Sequence, residues 1–230
     1  MSRLRVVIIS DSLGLPRQLP EFVRLEATWP QLVRDELPDA CVYQLSLGGA
    51  TTDDLVGQLS YLLGQQPSLV IVQAGIVDCA PRAFRQSELL LLQSTRLGRL
   101  VLNRLERSAF VYLRRIRGVS YVSESRFGQN IERVLGQFDC PVIWISIVGR
   151  SDYDSFVPNV SMRIRSYNAL LERRLGAHFL DLSTHIADQH MMADGHHLNE
   201  AGHRALMDKL ARHPAFASLK SIVSSRRADG

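Results

Sequence analysis

Three side chains have the types and order that could turn a hydroxyl into a nucleophile: Ser12 near the start, and Asp194 and His197 near the other end. A serine hydroxyl is a poor nucleophile at neutral pH, so it needs a base, and the base needs an orienting group. An aspartate three residues before a histidine can reach back within one turn to the imidazole. That contact fixes the tautomer, so that the other ring nitrogen accepts the proton of Ser12. In ADGHHLNEAGH two histidines are adjacent and point in different directions, so at most one of His196 and His197 serves, and the spacing favours His197.

The elements that must bring these ends together can be read from hydrophobic patterning. Val6 to Ile9 is a short β-branched run with the length of a buried strand, and the turn-prone SDSLG, Ser10 to Gly14, leaves its end. A helix starts at Thr28 as N-cap, with Pro30 in the first turn and Gln31 as capping-box partner, and Pro38 closes it. Cys41 to Ser46 is a second strand, followed by Gly48 and Gly49, and Thr51 or Thr52 caps a helix carrying Leu55, Leu59, Leu62 and Leu63. Leu69 to Gln73 is a third strand leading into GIVDCAPR, Gly75 to Arg82. Strands Pro141 to Val148 and Phe179 to Leu182 flank a helix with Ile164, Asn168, Leu171 and Leu175 on one face. Asn199 caps the last expected helix, which turns Ala201, Ala205, Leu206 and Leu210 inward.

Five strands alternating with helices predict an α/β fold, a three-layer αβα sandwich with a five-stranded, mostly parallel sheet. Parallel strands place the segments after strands one, two, three and five at one edge, so Ser12, the Gly48–Gly49 turn, the 75–82 loop and the Asp194/His197 pair would share a cleft. The chain reads as one domain over residues 1–223, with a helical insertion at about 87–138 and a frayed polar tail at 224–230. The insertion interleaves Leu97, Leu100, Val101, Leu105 and Leu113 with Arg96, Arg99, Arg104, Arg107, Arg114, Arg115 and Arg117. A solvated amphipathic layer is its plain reading; a lid, a homo-oligomer surface or a site for an acidic glycan or lipid headgroup are its functional ones.

Bulk composition narrows the classes. The 230 residues are 46% hydrophobic with a formal net charge of +4, enough apolar content for one sizeable core and a basic balance that permits an acidic partner without requiring one. No run is long enough to span a bilayer and MSRLRVVIIS is too short in its apolar part for a signal peptide, so a cytoplasmic protein is expected. Cys41, Cys79 and Cys140 form neither a CxxC pair nor an even set, so they read as buried small hydrophobes. GxxxxGKS, GxGxxG and GxSxG are absent, and the histidines from His185 to His203 lack a recognised ligand spacing, so no nucleotide, cofactor or metal is expected. Nothing suggests nucleic acid, because the arginines come without an aromatic platform.

Taken in order, SDSL, GGAT and DGHHLNEAGH resemble the first, second and last blocks of the SGNH (GDSL-type) hydrolases, with Ser10 where glycine is usual. The resemblance runs from end to end apart from the insertion. It implies Ser12 as nucleophile, His197 as general base, Asp194 as its orienting acid, and the backbone amides of Ser12 and Gly49 as oxyanion donors. It also implies a third donor, an asparagine in a GxND block, but the matching residues are Gly75, Ile76, Val77 and Asp78. Valine donates nothing, and loss of one oxyanion donor costs roughly two to three orders of magnitude in turnover.

Arg82 is the first substitute donor to consider, either on the oxyanion or on an anionic part of the substrate, with a salt bridge at the loop base as its plain reading. Asp11, Val77, Asp78 and Arg82 stand as candidates to border the substrate. The expected activity is hydrolysis of a carboxylic ester in a small molecule or glycan, with a short acyl group such as acetyl on a sugar hydroxyl as the expected substrate. Acyl transfer by the same residues, or a weakly active or silent member that binds a glycan or protein, is the alternative.

Overall fold

The computed structural model describes residues 4–228. Its five strands, β1 (Arg5–Ser10), β2 (Cys41–Ser46), β3 (Leu69–Gln73), β4 (Val142–Ile145) and β5 (Phe179–Leu180), form one sheet in the order β2-β1-β3-β4-β5. Every pairing is parallel: Ser10 lies opposite Ser46 on one side and Gln73 on the other, and Val72 opposite Trp144. The sheet reverses direction of winding between β1 and β3, which is where open sheets of this order carry their sites.

Both faces of the sheet are covered, which is why its central strands are apolar throughout rather than alternating. On one face Val7, Ile9, Val70, Val72 and Trp144 pack under α2 (Thr52–Val56), α7 (Glu124–Leu135) and α8 (Val160–Leu175), which contribute Leu55, Phe127, Ile131, Tyr167 and Leu171. On the other, Val6, Ile8, Leu69, Ile71, Ile143 and Ile145 meet α1 (Trp29–Glu36), α9 (Glu200–Ala211) and α10 (Pro214–Ala228), with Trp29, Val33, Leu206, Leu210 and Phe216 fully buried. The predicted three-layer sandwich is therefore the observed architecture.

The details differ from expectation in instructive ways. Thr28 does start α1, but its hydroxyl donates back to Leu25 O at 2.7 Å and Gln31 turns to Asp35, so no capping box forms there. The box forms instead at α2, where Thr51 and Asp54 satisfy each other's backbone amides. That helix stops at Val56, and Leu59 and Leu62 are buried from two short 3-10 turns, 59–61 and 63–65, leaving Leu63 exposed. Strands β4 and β5 are shorter than read because side chains take over the ladder: Ser146 Oγ accepts from Leu182 N at 2.9 Å, and Asn168 brackets Ile147 N and O, both at 2.8 Å.

Of the 87–138 stretch, α7 belongs to the sandwich as the crossover helix from β3 to β4. The added part is α4 (Gln86–Ser94), α5 (Arg96–Arg104) and α6 (Arg107–Arg117), preceded by the short α3 (Ile76–Cys79). Leu90, Leu91, Leu97, Tyr112 and Ile116 are exposed on this added part. After Leu210 the sequence reading expected no further helix, yet α10 follows, burying Phe216, Leu219 and Val223 at helical spacing. It carries the backbone through residue 228 of the stretch read as a frayed tail, while residues 229–230 lie outside the described residues.

Candidate active site

Ser12 is held at the carboxyl end of β1 by a tight local turn. Asp11 N donates to Gln73 O at 3.2 Å, its carboxylate accepts from Leu13 N at 2.9 Å, and Leu15 N closes the 3-10 turn 12–14 onto Ser12 O at 3.2 Å. Ser10, the competing hydroxyl, is fully buried and hydrogen-bonded to Ser46 Oγ at 2.6 Å, so it belongs to the sheet packing.

The partner residues come from a hairpin-like loop between β5 and α9. Met191 and Leu198 form an antiparallel bridge, Met192 N donates to His197 O at 2.8 Å, and Gly195 N donates to Met192 O at 3.1 Å. Gly195 sits at φ 87°, and a Cβ there would lie 2.6 Å from the Tyr153 ring, so both conformation and space demand glycine. Asn199 then caps α9 by accepting from Gly202 N at 3.0 Å, which fixes where the loop ends.

Across 185 residues of sequence the two ends meet. Ser12 Oγ lies 3.0 Å from His197 Nε2, and His197 Nδ1 lies 2.7 Å from Asp194 Oδ2. His197 N also donates to Asp194 Oδ1 at 3.2 Å, so both carboxylate oxygens face the histidine. With Nδ1–H given to Asp194, Nε2 carries the lone pair that faces the hydroxyl. Burial opposes ionisation of Asp194, but the hydrogen bond from His197 and the charges of His196 and His197 outweigh it and hold its carboxyl below the usual range.

His196 turns elsewhere. Its ring stacks on Tyr153, with centroids 5.6 Å apart, and its Nδ1 lies 3.3 Å from Tyr153 Oη. Burial and the neighbouring His197 push its pKa down to about 4, so it is neutral at pH 7. Tyr153 in turn packs on Phe156, and Arg114 of α6 donates to Phe156 O at 3.2 Å. A cleft of about 580 Å³ between α6 and this turn, lined by Ser108, Val111, Tyr112, Arg115, Ser155 and Phe156, therefore lies beside the dyad rather than containing it.

Among the candidates to border the substrate, two are corrected by the structure. Asp11 and Asp78 are both fully buried. Asp11 is used by the Leu13 amide, and Asp78 accepts from Thr52 N at 3.0 Å and from the Thr52 hydroxyl, tying the turn after β2 to the turn after β3. Neither carboxylate has solvent exposure, so neither borders an open cleft, although Asp11 Oδ2 is buried without a hydrogen-bond partner. Burial raises Asp11 to about 7 and Asp78 to about 6, the hydrogen bonds only partly opposing it.

Val77 lies on α3, 8% exposed and packed in the core, with no polar atom to offer. Gly49, at φ 72°, is exposed in the turn after β2, and neither its amide nor that of Ser12 donates to a protein acceptor among the described residues. Cys79 is buried, and desolvation pushes its thiol well above the usual range, which makes it a packing residue.

Among the described residues Arg82 does not make the salt bridge that was its plain reading. Its backbone bridges Val119 across the base of the insertion, its guanidinium lies over the Tyr121 ring at 5.1 Å from the centroid, and its buried Nε has no hydrogen-bond partner. Sequence reasoning missed two residues altogether. Tyr153 had no motif to mark it, and Arg17, whose guanidinium reaches His197 Nε2, was hidden in the proline-punctuated LPRQLP. Asp194, His196 and His197 place one ligand atom each within 4.8 Å, a set that could hold a metal ion. Two of the three are already hydrogen-bonded in the Ser12–His197–Asp194 series, and no further such side chain completes the set among the described residues.

A hydroxyl, an imidazole and a carboxylate hydrogen-bonded in series at the carboxyl edge of a doubly wound parallel sheet form a constellation of the serine-hydrolase class. The chain belongs to the GDSL-like lipase/acylhydrolase family, whose model matches residues 11–205, and is accordingly a serine hydrolase of carboxylic esters. Comparison with curated proteins finds no match.

Solved structures share the fold. The lipase/acylhydrolase from Enterococcus faecalis has a TM-score of 0.64 at 19% identity, covering 92% of this chain and 95% of that one. Phospholipase A1 from Streptomyces albidoflavus has 0.60 at 13%, covering 92% and 100%. An acetyl xylan esterase has 0.55 at 16%, covering 90% and 98%. Among the described residues no helix is long and apolar enough to cross a membrane.

Proposed function

We propose that the protein cleaves a short-chain carboxylic ester, such as an acetyl group on a sugar hydroxyl, through an acyl-enzyme on Ser12. The Ser12 Oγ–His197 Nε2–Asp194 series carries this reading. In the first step Oγ attacks the carbonyl carbon while its proton passes to Nε2, and the tetrahedral oxyanion is met by the amides of Ser12 and Gly49. The C–O bond to the alcohol then breaks, and the alcohol oxygen leaves with the proton from Nε2. Water repeats the sequence: it gives a proton to Nε2 and its oxygen to the carbonyl, and Ser12 recovers the proton as the acid departs. An alcohol in place of water would make the same apparatus an acyltransferase.

The similarity of fold to an acetyl xylan esterase supports a small acyl group on a carbohydrate. The three free thiols Cys41, Cys79 and Cys140 are in keeping with a cytoplasmic setting. A second reading rests on Val77: with a donor missing from the oxyanion site, the protein is a silent member that binds a glycan or partner without turnover.

A fluorophosphonate probe decides between them. Ser12 should be labelled and Ser12→Ala should not; a folded wild-type protein that resists labelling would establish the silent reading. A hydrolysis screen across acyl chain lengths, including acetylated sugars, then fixes the acyl group.

A further inference from the structure

The guanidinium of Arg17 sits on His197 Nε2, the same nitrogen that faces Ser12 Oγ. A neutral imidazole bound through Nδ1 to Asp194 has one lone pair at Nε2, and two donors share it here. Arg17 is always charged and can only donate. Once Nε2 has taken the serine proton, the contact becomes cation against cation, so the guanidinium must leave when the reaction starts and needs an acceptor to go to.

The backbone cannot make that move. Arg17 N donates to Val23 O at 3.0 Å and Val23 N to Arg17 O at 2.8 Å, and Val23 is buried with Ala27 and Met192, beside the loop that carries Asp194. Only the side chain can swing: its other hydrogen bond, to Leu19 O, is a long, exposed one of 3.5 Å, and among the described residues no carboxylate forms an ion pair with it. Arg82 is a second cation without an acidic partner among the described residues, its Nε buried and unbonded, and its charge is felt at His196 and Tyr153. Among the described residues around Ser12 and His197, the half-buried Asp194 is already engaged by His197, and Asp11, on which the Arg17 charge acts, is fully buried.

We propose that Arg17, supported by Arg82, recognises an anionic group on the alcohol side of the scissile ester, making esters of acidic alcohols, such as acylated sugar acids or sugar phosphates, the favoured substrates. The alcohol side follows from geometry, because Nε2 hands its proton to the departing alcohol oxygen and Arg17 stands at that nitrogen. An anion there draws Arg17 off His197 and frees the base in the same movement. This inference rests on the esterase reading above.

Matched acetyl esters test it: 4-acetoxybenzoate and 4-acetoxyphenyl phosphate against neutral 4-acetoxybenzamide, each rate normalised to hydroxide-catalysed hydrolysis. Wild type should prefer an anionic ester by at least tenfold in kcat/KM, and the better anion tells carboxylate from phosphate. Arg17→Gln should abolish the preference, mainly through a raised KM for the anionic esters; Arg17→Lys should keep part of it, and Arg82→Gln should weaken it. A wild-type protein without the preference, or equal losses on all three esters in Arg17→Gln, would overturn the proposal. If no ester turns over and no probe labels Ser12, the esterase reading fails by itself. Binding of phenyl phosphate then judges the anion site: it should bind wild type and not Arg17→Gln, and equal binding would refute it.

Discussion

Replacing Asp194 with asparagine isolates what the carboxylate does. The side chain is isosteric, so the loop between Met191 and Leu198 should keep its backbone bonds. In the wild type, Asp194 Oδ2 is 2.7 Å from His197 Nδ1, which puts the two charge centres about 4 Å apart once the imidazole is protonated. At an effective dielectric of about 20 that is roughly 4 kcal/mol of stabilisation for the imidazolium formed in the transition state, a factor of about 10^3. Asparagine can also present its amide N–H to Nδ1, forcing the proton onto Nε2 and leaving no lone pair for Ser12, which brings the expected loss to the order of 10^4 in kcat/KM. The assay is hydrolysis of 4-nitrophenyl acetate, run beside thermal unfolding and circular dichroism. A variant with wild-type stability and less than a tenfold loss would show that Asp194 does not orient the base, and the proton-transfer scheme would fall with it.

Other perturbations have equally definite signs. Val77→Asn should raise turnover by one to two orders of magnitude if the oxyanion site lacks a donor, at a stability cost of about 1–3 kcal/mol for burying an amide; unchanged turnover in a folded variant would mean another group already donates. Asp11, raised by burial to about 7, keeps its proton in the folded state where the unfolded chain has lost it, so its contribution is full below about pH 4 and disappears as pH rises through 7. Asp11→Asn should retain the bond to Leu13 N and flatten that decline, which in the wild type reaches up to about 4 kcal/mol, as read by urea unfolding between pH 4.5 and 8. Gly75→Ala forces a side chain into φ 135° and puts its Cβ 2.6 Å from Ile147 Cδ1, so unfolding should become easier by about 1–3 kcal/mol, with a lower melting temperature as the check.

What the sequence disclosed, and what it hid, follows from how far each signal reaches. Strands β1 and β3 were legible because both faces are buried and the apolar runs are unbroken. Ser12 and the Asp194/His197 pair were legible because each is set by local chain geometry, a turn after a strand and an i,i+3 pair. Asp11 and Asp78 were misread as bordering the substrate because their partners, the Leu13 and Thr52 amides, are backbone groups that no residue pattern advertises. Arg17 was invisible for a related reason: its side chain crosses from one loop to an imidazole 180 positions away, held in range by the Arg17–Val23 bridge and by Val23 packing on Met192. Helix α10 was overlooked although Phe216, Leu219 and Val223 follow the helical repeat, because the serines among them dilute the pattern.

The sheet order also sets a timetable for synthesis. Synthesis delivers Ser12 with the first strand and the last strand by Leu180, but Asp194 and His197 follow only afterwards, with α9 and α10 still to come. A partly made chain thus holds every strand yet exposes Ile71, Ile143 and Ile145, which those final helices cover. Ser12, Asp194 and His197 are thus all present before the helices that close that surface, so the docking of α9 and α10 decides how long it stays bare.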